Sequence, residues 1–257
     1  MGDHAAYATM IALLALLPVG CGGGAQANTL PERRLTGEAA LEEGEDGPPA
    51  MTITGLELPP LPATVDADDP QLEPLTRAIR ALLDRPAPIP DDALSLDGMG
   101  SFVETRLTPW LTDSGQSVVA IWQTMQAVSS SEVSTHVVAR GVTGSALLEL
   151  ARRIANLPLP AAVRADANAR LAMREAFVRT ASPILERATQ ALGGCASIAV
   201  GAADPTVDDW RTFCDSQLDA ARELPRPRLE PTPATPTPAT PTPATPTSDA
   251  SAPVTTP

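Results

Sequence analysis

Residues 113–128, DSGQSVVAIWQTMQAV, decide the fold class of this 257-residue chain. The large apolar side chains in this stretch recur at helical spacing: Val118, Val119, Ile121, Trp122, Met125 and Val128. Residues spaced three and four apart lie on one face of an α-helix, so they form a single apolar stripe about four turns long. Asp113 and Gln116 precede the stripe at capping-box spacing. The stretch therefore predicts a buried helix over residues 113–128.

The same periodicity continues upstream. A first helix near residues 73–84 is indicated by apolar residues at helical spacing: Leu72, Leu75, Ile79, Leu82 and Leu83. The prolines at 86, 88 and 90 end it in an extended connector. Ser101 and Glu104 match a capping box ahead of a short helix that Pro109 should end.

Downstream, Ser129 and Glu132 match a further capping box, ahead of a helix through Val137 and Val138. The β-branched run at 135–138 also permits a strand, and helix is favoured. Glycines at 141 and 144 interrupt the pattern, so a separate helix is predicted from about Ser145 to before Pro158.

Pro160 suits the first position of a long helix, which Ser182 and Pro183 should kink or end. The Gly193-Gly194 pair should stop the element that follows. Asp204 and Pro205 mark the start of a last helix. The chain therefore predicts an all-α, single-domain helix bundle of about five to seven helices over residues 70–224.

The two flanks differ from this domain in composition. Residues 22–69 hold ten acidic residues and two arginines, which is typical of a disordered acidic tether. Residues 231–245 repeat Pro-Thr-Pro-Ala-Thr three times, so residues 225–257 are predicted to be a disordered, Pro/Thr/Ala-rich tail in polyproline II conformation. The tail is typical of an O-glycosylated stalk or of a solvated extension without sugar.

The N-terminal residues have the pattern of an export signal. Residues 5–20 are uncharged, too short for a comfortable membrane span, and lead directly into Cys21. The run Leu17-Pro18-Val19-Gly20-Cys21 resembles the lipobox of bacterial lipoproteins, within a resemblance that covers residues 1–24. It implies a signal peptide over 1–20 and a lipidated Cys21 that begins the tether at 21–69. An ordinary secretory signal cleaved elsewhere and an uncleaved hydrophobic anchor are the alternatives.

Lipidation would place the protein at a membrane. A diacylated and N-acylated Cys21, carrying chains such as palmitate, supplies the two or more acyl chains that stable anchoring needs. Gly22 after this cysteine resembles the pattern that directs enterobacterial lipoproteins to the outer membrane. The resemblance therefore implies an outer-membrane lipoprotein of the bacterial cell envelope.

With Cys21 committed to lipid, Cys195 and Cys214 remain, an even number in an exported chain, where disulfides persist. A bond between them would constrain the unfolded chain and contribute about 3 kcal/mol. Two buried free thiols are the alternative. His136 is the one histidine after position 20, and no two cysteines are close in sequence, so no metal site is predicted.

Composition narrows the chemistry. The net charge of −13 excludes a nucleic-acid binder driven by overall charge. All 18 basic residues are arginine, so a P-loop and every mechanism with a catalytic lysine are excluded. No Gly-x-Ser-x-Gly elbow accompanies His136, and no catalytic residue or cofactor is predicted.

Residues 139–187 are locally basic, with eight arginines against four acidic residues. One interpretation is a face that docks an anionic surface, formed by Arg164, Arg170, Arg174 and Arg179. The favoured interpretation is internal pairing, because Asp166 and Glu175 stand four residues before two of these arginines.

Two hypotheses of function follow. The preferred one is a membrane-anchored, non-enzymatic interaction or envelope-structural module, whose partner is an envelope protein, a glycan or an anionic surface. The alternative is an exported enzyme or small-ligand-binding protein, with an apolar pocket between helices lined by Trp110, Trp122 and Met125.

Overall fold

Local sequence signals set most of the helix boundaries in the computed structural model, which describes residues 51–66, 68–200, 202 and 204–226. The helices of this part are α1 (Glu73–Leu83), α2 (Leu96–Phe102), α3 (Thr108–Gln126), α4 (Val133–Ala155), α5 (Ala161–Ala165), α6 (Ala167–Ala199) and α7 (Pro205–Glu223). Within it, the only extended pairing is an isolated bridge between Ile53 and Leu56. The predicted all-α bundle is confirmed.

The region around Pro109 differs from the prediction. Ser95, not Ser101, caps α2, its hydroxyl accepting a hydrogen bond from the Gly98 N–H at 3.1 Å. A π-helical turn, Val103–Leu107, joins α2 to α3, and Pro109 lies in the first turn of α3 instead of ending a helix. The reason is that the first turn of a helix does not need the N–H that proline lacks.

Helix α4 runs unbroken through both of its glycines, so the predicted break near Ser145 is wrong. The capping box at Ser129 is also wrong, since Glu132 occupies the N-cap position without a side-chain cap. A Cβ atom at Gly144 would lie 2.5 Å from Leu192 Cγ, and one at Gly141 would lie 2.7 Å from the Trp210 ring. The glycines therefore mark close contacts between helices.

The long helix begins later and ends later than predicted. Asp166 caps α6 by accepting hydrogen bonds from the N–H groups of Asn168 and Ala169 at 2.8 and 3.0 Å. Pro160 is the N-cap of the separate short helix α5. Helix α6 contains Pro183 and continues past Gly193 and Gly194 to Ala199, so the predicted stop is wrong.

Helix α4 is the centre of the bundle. Seventeen of its 23 residues are buried, and it packs against α6, α7, α1 and α3. Helices α6 and α7 also pack against each other, as do α1 and α3. The sequence pattern pointed to α3 as the buried element, but α3 keeps an exposed face that includes Val119 and Gln123.

The packed region begins before residue 70, where the domain boundary was predicted. Met51, Ile53 and Leu61 are buried in the same core as the helices. The Trp210 indole N–H donates to the Pro60 carbonyl at 2.8 Å, which ties this segment to α7. The predicted disorder of the remaining tether and of the tail concerns residues that lie outside those the structure describes.

Candidate functional site

The cysteine pair lies at disulfide distance, as predicted. The Cys195 and Cys214 sulfurs are 2.06 Å apart, and their Cα atoms are 6.3 Å apart. Both side chains are completely buried and join α6 to α7. Cys195 lies inside α6 and not after a helix end, because α6 continues past its glycine pair.

The lipidation site falls in a part of the chain of which the structure says nothing. Cys21 and the signal-like residues 1–20 lie outside the described residues, as does the repeat tail. Among the helices that are described, none combines the length and apolar character that crossing a bilayer requires. Lipidation of Cys21 stays a prediction.

The four arginines of the predicted anionic-partner face have different contacts in the structure. Arg164 donates to the Leu159 carbonyl at 2.6 Å and pairs with Asp92 at 2.8 Å. Arg170 donates to the Arg164 carbonyl at 2.8 Å. The ion pair of Arg164 with Asp92 agrees with internal pairing, whereas Arg170 binds a backbone carbonyl and not the predicted i,i+4 carboxylate of Asp166.

Arg174 and Arg179 also have different environments. Arg174 donates to the carbonyls of Ala155 and Leu157 at 3.2 and 3.0 Å, which caps the C-terminus of α4. Arg179 is exposed. Arg174 is therefore committed to a structural contact, while docking of an anionic surface by the whole set stays a prediction.

A surface cleft of about 460 Å³ lies between the N-terminal segment and the helices α4 and α7. Its lining comprises Gly55, Leu56, Glu57, Ser145, Glu149, Arg152, Phe213 and Gln217. The α4 residues follow one another at intervals of four and three, and the α7 residues at an interval of four, so each helix contributes one face. Gly141 holds α4 against α7 one turn before Ser145, where the cleft begins.

The third wall of the cleft is a tight turn. The Leu56 N–H donates to the Ile53 carbonyl at 3.0 Å, and Gly55 has a φ of 81°. A positive φ at the third position of such a turn favours glycine. Ile53 is buried and anchors the turn in the core, which places Leu56 and Glu57 over the cleft.

Ser145 has a buried hydroxyl without a partner. It is 5% exposed, and its Oγ makes no hydrogen bond within the described structure. Some exposed helical hydroxyls bond to the carbonyl four residues back, as Ser117 does to Asp113 at 2.9 Å and Ser197 to Gly193 at 2.7 Å, whereas the buried hydroxyls of Ser114 and Thr143 do not. A buried hydroxyl without a partner is costly, so Ser145 has unused hydrogen-bonding capacity at the cleft.

The charged groups of the cleft are unequally engaged. Glu149 accepts from Arg153 Nε at 3.0 Å, and Arg153 also donates to the Leu83 carbonyl at 2.6 Å, at the end of α1. Arg152 is half-buried and forms no ion pair with another described residue. The cleft therefore offers one uncommitted guanidinium beside two carboxylates, those of Glu57 and Glu149.

Phe213 supplies the aromatic part of the lining. Its ring meets the Trp210 ring edge to face, with centroids 5.7 Å apart and an interplanar angle of 74°. Trp210 is itself fixed by its hydrogen bond to Pro60, so the position of Phe213 is set by packing before any ligand arrives.

The aromatic residues expected to line an apolar pocket lie elsewhere. Trp110 and Met125 are buried core residues, and Trp122 is packed against the core. Sequence reasoning missed Glu149 and Arg152 and took Ser145 only as a helix start. Polar residues at helical spacing on a helix otherwise buried were the available signal.

Two other titratable residues, His136 and Asp204, are not among those that line the cleft. His136 Nε2 lies 2.8 Å from the Ser130 carbonyl, outside the cleft. Among described residues, no group of three His, Cys, Asp or Glu could hold a metal ion. At the start of α7, hydrogen bonds from the Thr206 hydroxyl and N–H lower the pKa of the half-buried Asp204 carboxyl, which caps that helix.

Comparison with known proteins adds no relative. No protein-family model, curated protein or solved structure matches the chain.

Proposed function

We propose that this protein is an exported lipoprotein of the bacterial cell envelope, anchored in the outer membrane through Cys21, whose helical domain serves as a non-enzymatic interaction or envelope-structural module. The proposal joins two features. The lipobox-like run ending at Cys21 supports export and acylation. The two cysteines that remain after Cys21 are buried on neighbouring helices, which supports a compartment in which thiols are oxidised.

The cysteine pair is the observation that carries the proposal. Cys195 and Cys214 are fully buried and lie on two different helices, so their bond would lock a helix contact that is already formed. Disulfides of this kind are rare in the reducing cytosol and common in exported domains. The signal-like N-terminus independently indicates the same compartment.

Small-ligand binding is a second candidate function, and the cleft beside Ser145 favours it. A pocket of this volume is in the range of small-molecule sites. Its lining is mixed polar and aromatic, which differs from the apolar pocket expected from the sequence. The two functions are compatible, because the cleft belongs to the domain and the anchor to the N-terminus.

Metabolic labelling with an alkyne fatty acid tests the anchor directly. Cells expressing the full chain should give a labelled protein in the outer-membrane fraction, because acylation follows export. The Cys21→Ser variant should carry no label. Gly23→Ser, which changes a residue two positions after Cys21 but leaves the thiol, should be labelled like the wild type.

Two results would contradict the proposal. An unlabelled wild-type protein would exclude lipidation, and label retained by Cys21→Ser would place the lipid elsewhere. For the interaction role, crosslinking of intact envelopes should recover a protein, glycan or lipid partner with the wild type. Recovery no greater than from cells lacking the protein would argue against an interaction module.

A further inference from the structure

We infer that the cleft between α4, α7 and the Gly55 turn is a binding site for a neutral saccharide. This inference deepens the second candidate function and does not depend on the lipid anchor. It rests on Ser145, Arg152 and Phe213 and on the charges around them.

The first step is that the site has unused polar capacity. Ser145 Oγ is buried and without a partner among the described residues, and unlike Thr143 and Ser114, whose hydroxyls are also unpartnered, Ser145 lines the cleft. Arg152, two turns further along the same face of α4, has no carboxylate partner among the described residues. A ligand that hydrogen-bonds both groups would satisfy what the fold leaves open.

The mixed charges of the cleft favour a neutral ligand. An anion attracted by Arg152 would meet the carboxylates of Glu57 and Glu149, and a cation would meet Arg152. An apolar ligand would leave Ser145 and Gln217 without partners. A neutral molecule with many hydroxyl groups fits all of them, since each hydroxyl can donate to a carboxylate and accept from a guanidinium or amide.

The aromatic ring of Phe213 favours a saccharide over other neutral ligands. Phe213 is half-buried at the cleft and held by its edge-to-face contact with Trp210. A pyranose ring has an apolar C–H face in addition to its hydroxyl rim, so it can pack against Phe213 while the rim reaches the polar groups. The combination of apolar face and polar rim distinguishes a saccharide from a simple polyol.

Binding can be measured on the purified full chain by calorimetry and by the shift of the thermal midpoint. The probes are glucose, N-acetylglucosamine, cellobiose and chitobiose, with succinate as an anion and glycylglycine as a zwitterion. At least one saccharide should bind saturably at millimolar concentration and raise the melting temperature, because a ligand that binds only the folded state stabilises it. Succinate and glycylglycine should not.

Variants locate the site. Arg152→Ala, Phe213→Ala and Ser145→Ala should each weaken saccharide binding about tenfold, the effect of losing one good contact. Ser114→Ala is the matched control, because Ser114 also has a buried hydroxyl without a partner but does not line the cleft. It should bind like the wild type. Gln217→Ala, a change at the half-buried rim, tests the site if a larger change impairs folding.

The inference is overturned if no saccharide on the panel binds, or if binding survives Arg152→Ala and Gln217→Ala unchanged. It is also overturned if succinate binds more tightly than every sugar, because the charge argument would then be wrong, or if glycylglycine does, because the cleft would then select a ligand that carries both charges. None of these results would bear on acylation of Cys21, which the labelling experiment measures separately.

Discussion

The two sides of the bundle are packed by different kinds of residue. The buried residues of α1 and α3, which pack against each other, include large side chains: Leu75, Ile79, Trp110, Leu111 and Ile121. Where α4 meets α6 and α7, glycines of α4 lie against large side chains, Gly141 against Trp210 and Gly144 against Leu192, and the buried residues of α6 include the small Ala188, Ala191 and Cys195. We call these the large-residue side and the small-residue side.

The two sides should therefore respond differently to substitutions. Large side chains can shift between rotamers, so the stability of the large-residue side depends on how completely its side chains fill the core. On the small-residue side, buried side chains and, at Gly144, the Leu192 backbone nitrogen leave no room for a Cβ atom at the two glycines. The cleft and the cysteine pair both lie on the small-residue side.

The largest effect is expected from emptying the large-residue side. Ile79→Ala removes a completely buried side chain of α1 and should lower the free energy of unfolding by about 2–5 kcal/mol. Denaturant titration of the variant and wild type measures this from the midpoints at equal slope. A loss below about 1 kcal/mol would mean that this side does not pack as a core.

Loss of the cysteine link should come next. The free energy of unfolding of the Cys195→Ala/Cys214→Ala variant should be about 3 kcal/mol lower than that of the wild type, because its unfolded chain is no longer constrained. Reductant added to the unfolded wild type before refolding should give nearly the same stability as the variant. Equal stability of oxidised wild type and variant would contradict the structural role of this link.

Glycine substitutions separate close helix contacts from ordinary helix positions. Gly144→Ala puts a Cβ against Leu192 and should destabilise the fold by about 1–3 kcal/mol. Gly193→Ala, in open space on α6, should instead stabilise it by about 0.5–1 kcal/mol through helix propensity. If both substitutions stabilise, the close approach of α4 and α6 is wrong.

The smallest effect concerns pH. Hydrogen bonds from Thr206 lower the pKa of Asp204 below its ordinary value of 3.8, so the ionised carboxylate stabilises the start of α7. This contribution is complete above the unfolded pKa and is lost as the pH falls through the lowered folded pKa. Relative to Asp204→Ala, the wild type should therefore lose its stability advantage below about pH 4. An advantage that persists to the lowest pH would contradict the role of the charge.

Much of the helical architecture could be predicted from spacing alone. The apolar stripes located α1 and α3, and Asp204 with Pro205 located the start of α7. The glycines of α4 were misinterpreted, because a sequence shows the cost of glycine in a helix but not the side chain it faces. Leu192 and Trp210, the partners across the contact, are distant in sequence.

The N-terminal boundary was missed for a related reason. Averaged charge over residues 22–69 describes the acidic segment well but hides a few apolar anchors near its end, such as Ile53 and Leu61. The cleft was missed because it needs the Gly55 turn, which belongs to that segment. Ser145 and Arg152 shared a helix face in the sequence, but Phe213 opposite them could not be assigned to it.

The most direct test of the account is a mass measurement on the protein isolated from bacterial envelopes, mapped with and without reduction. The account predicts a mature chain that begins at an acylated Cys21 and contains one peptide cross-linked through Cys195 and Cys214. An unmodified chain with both later thiols free would contradict it.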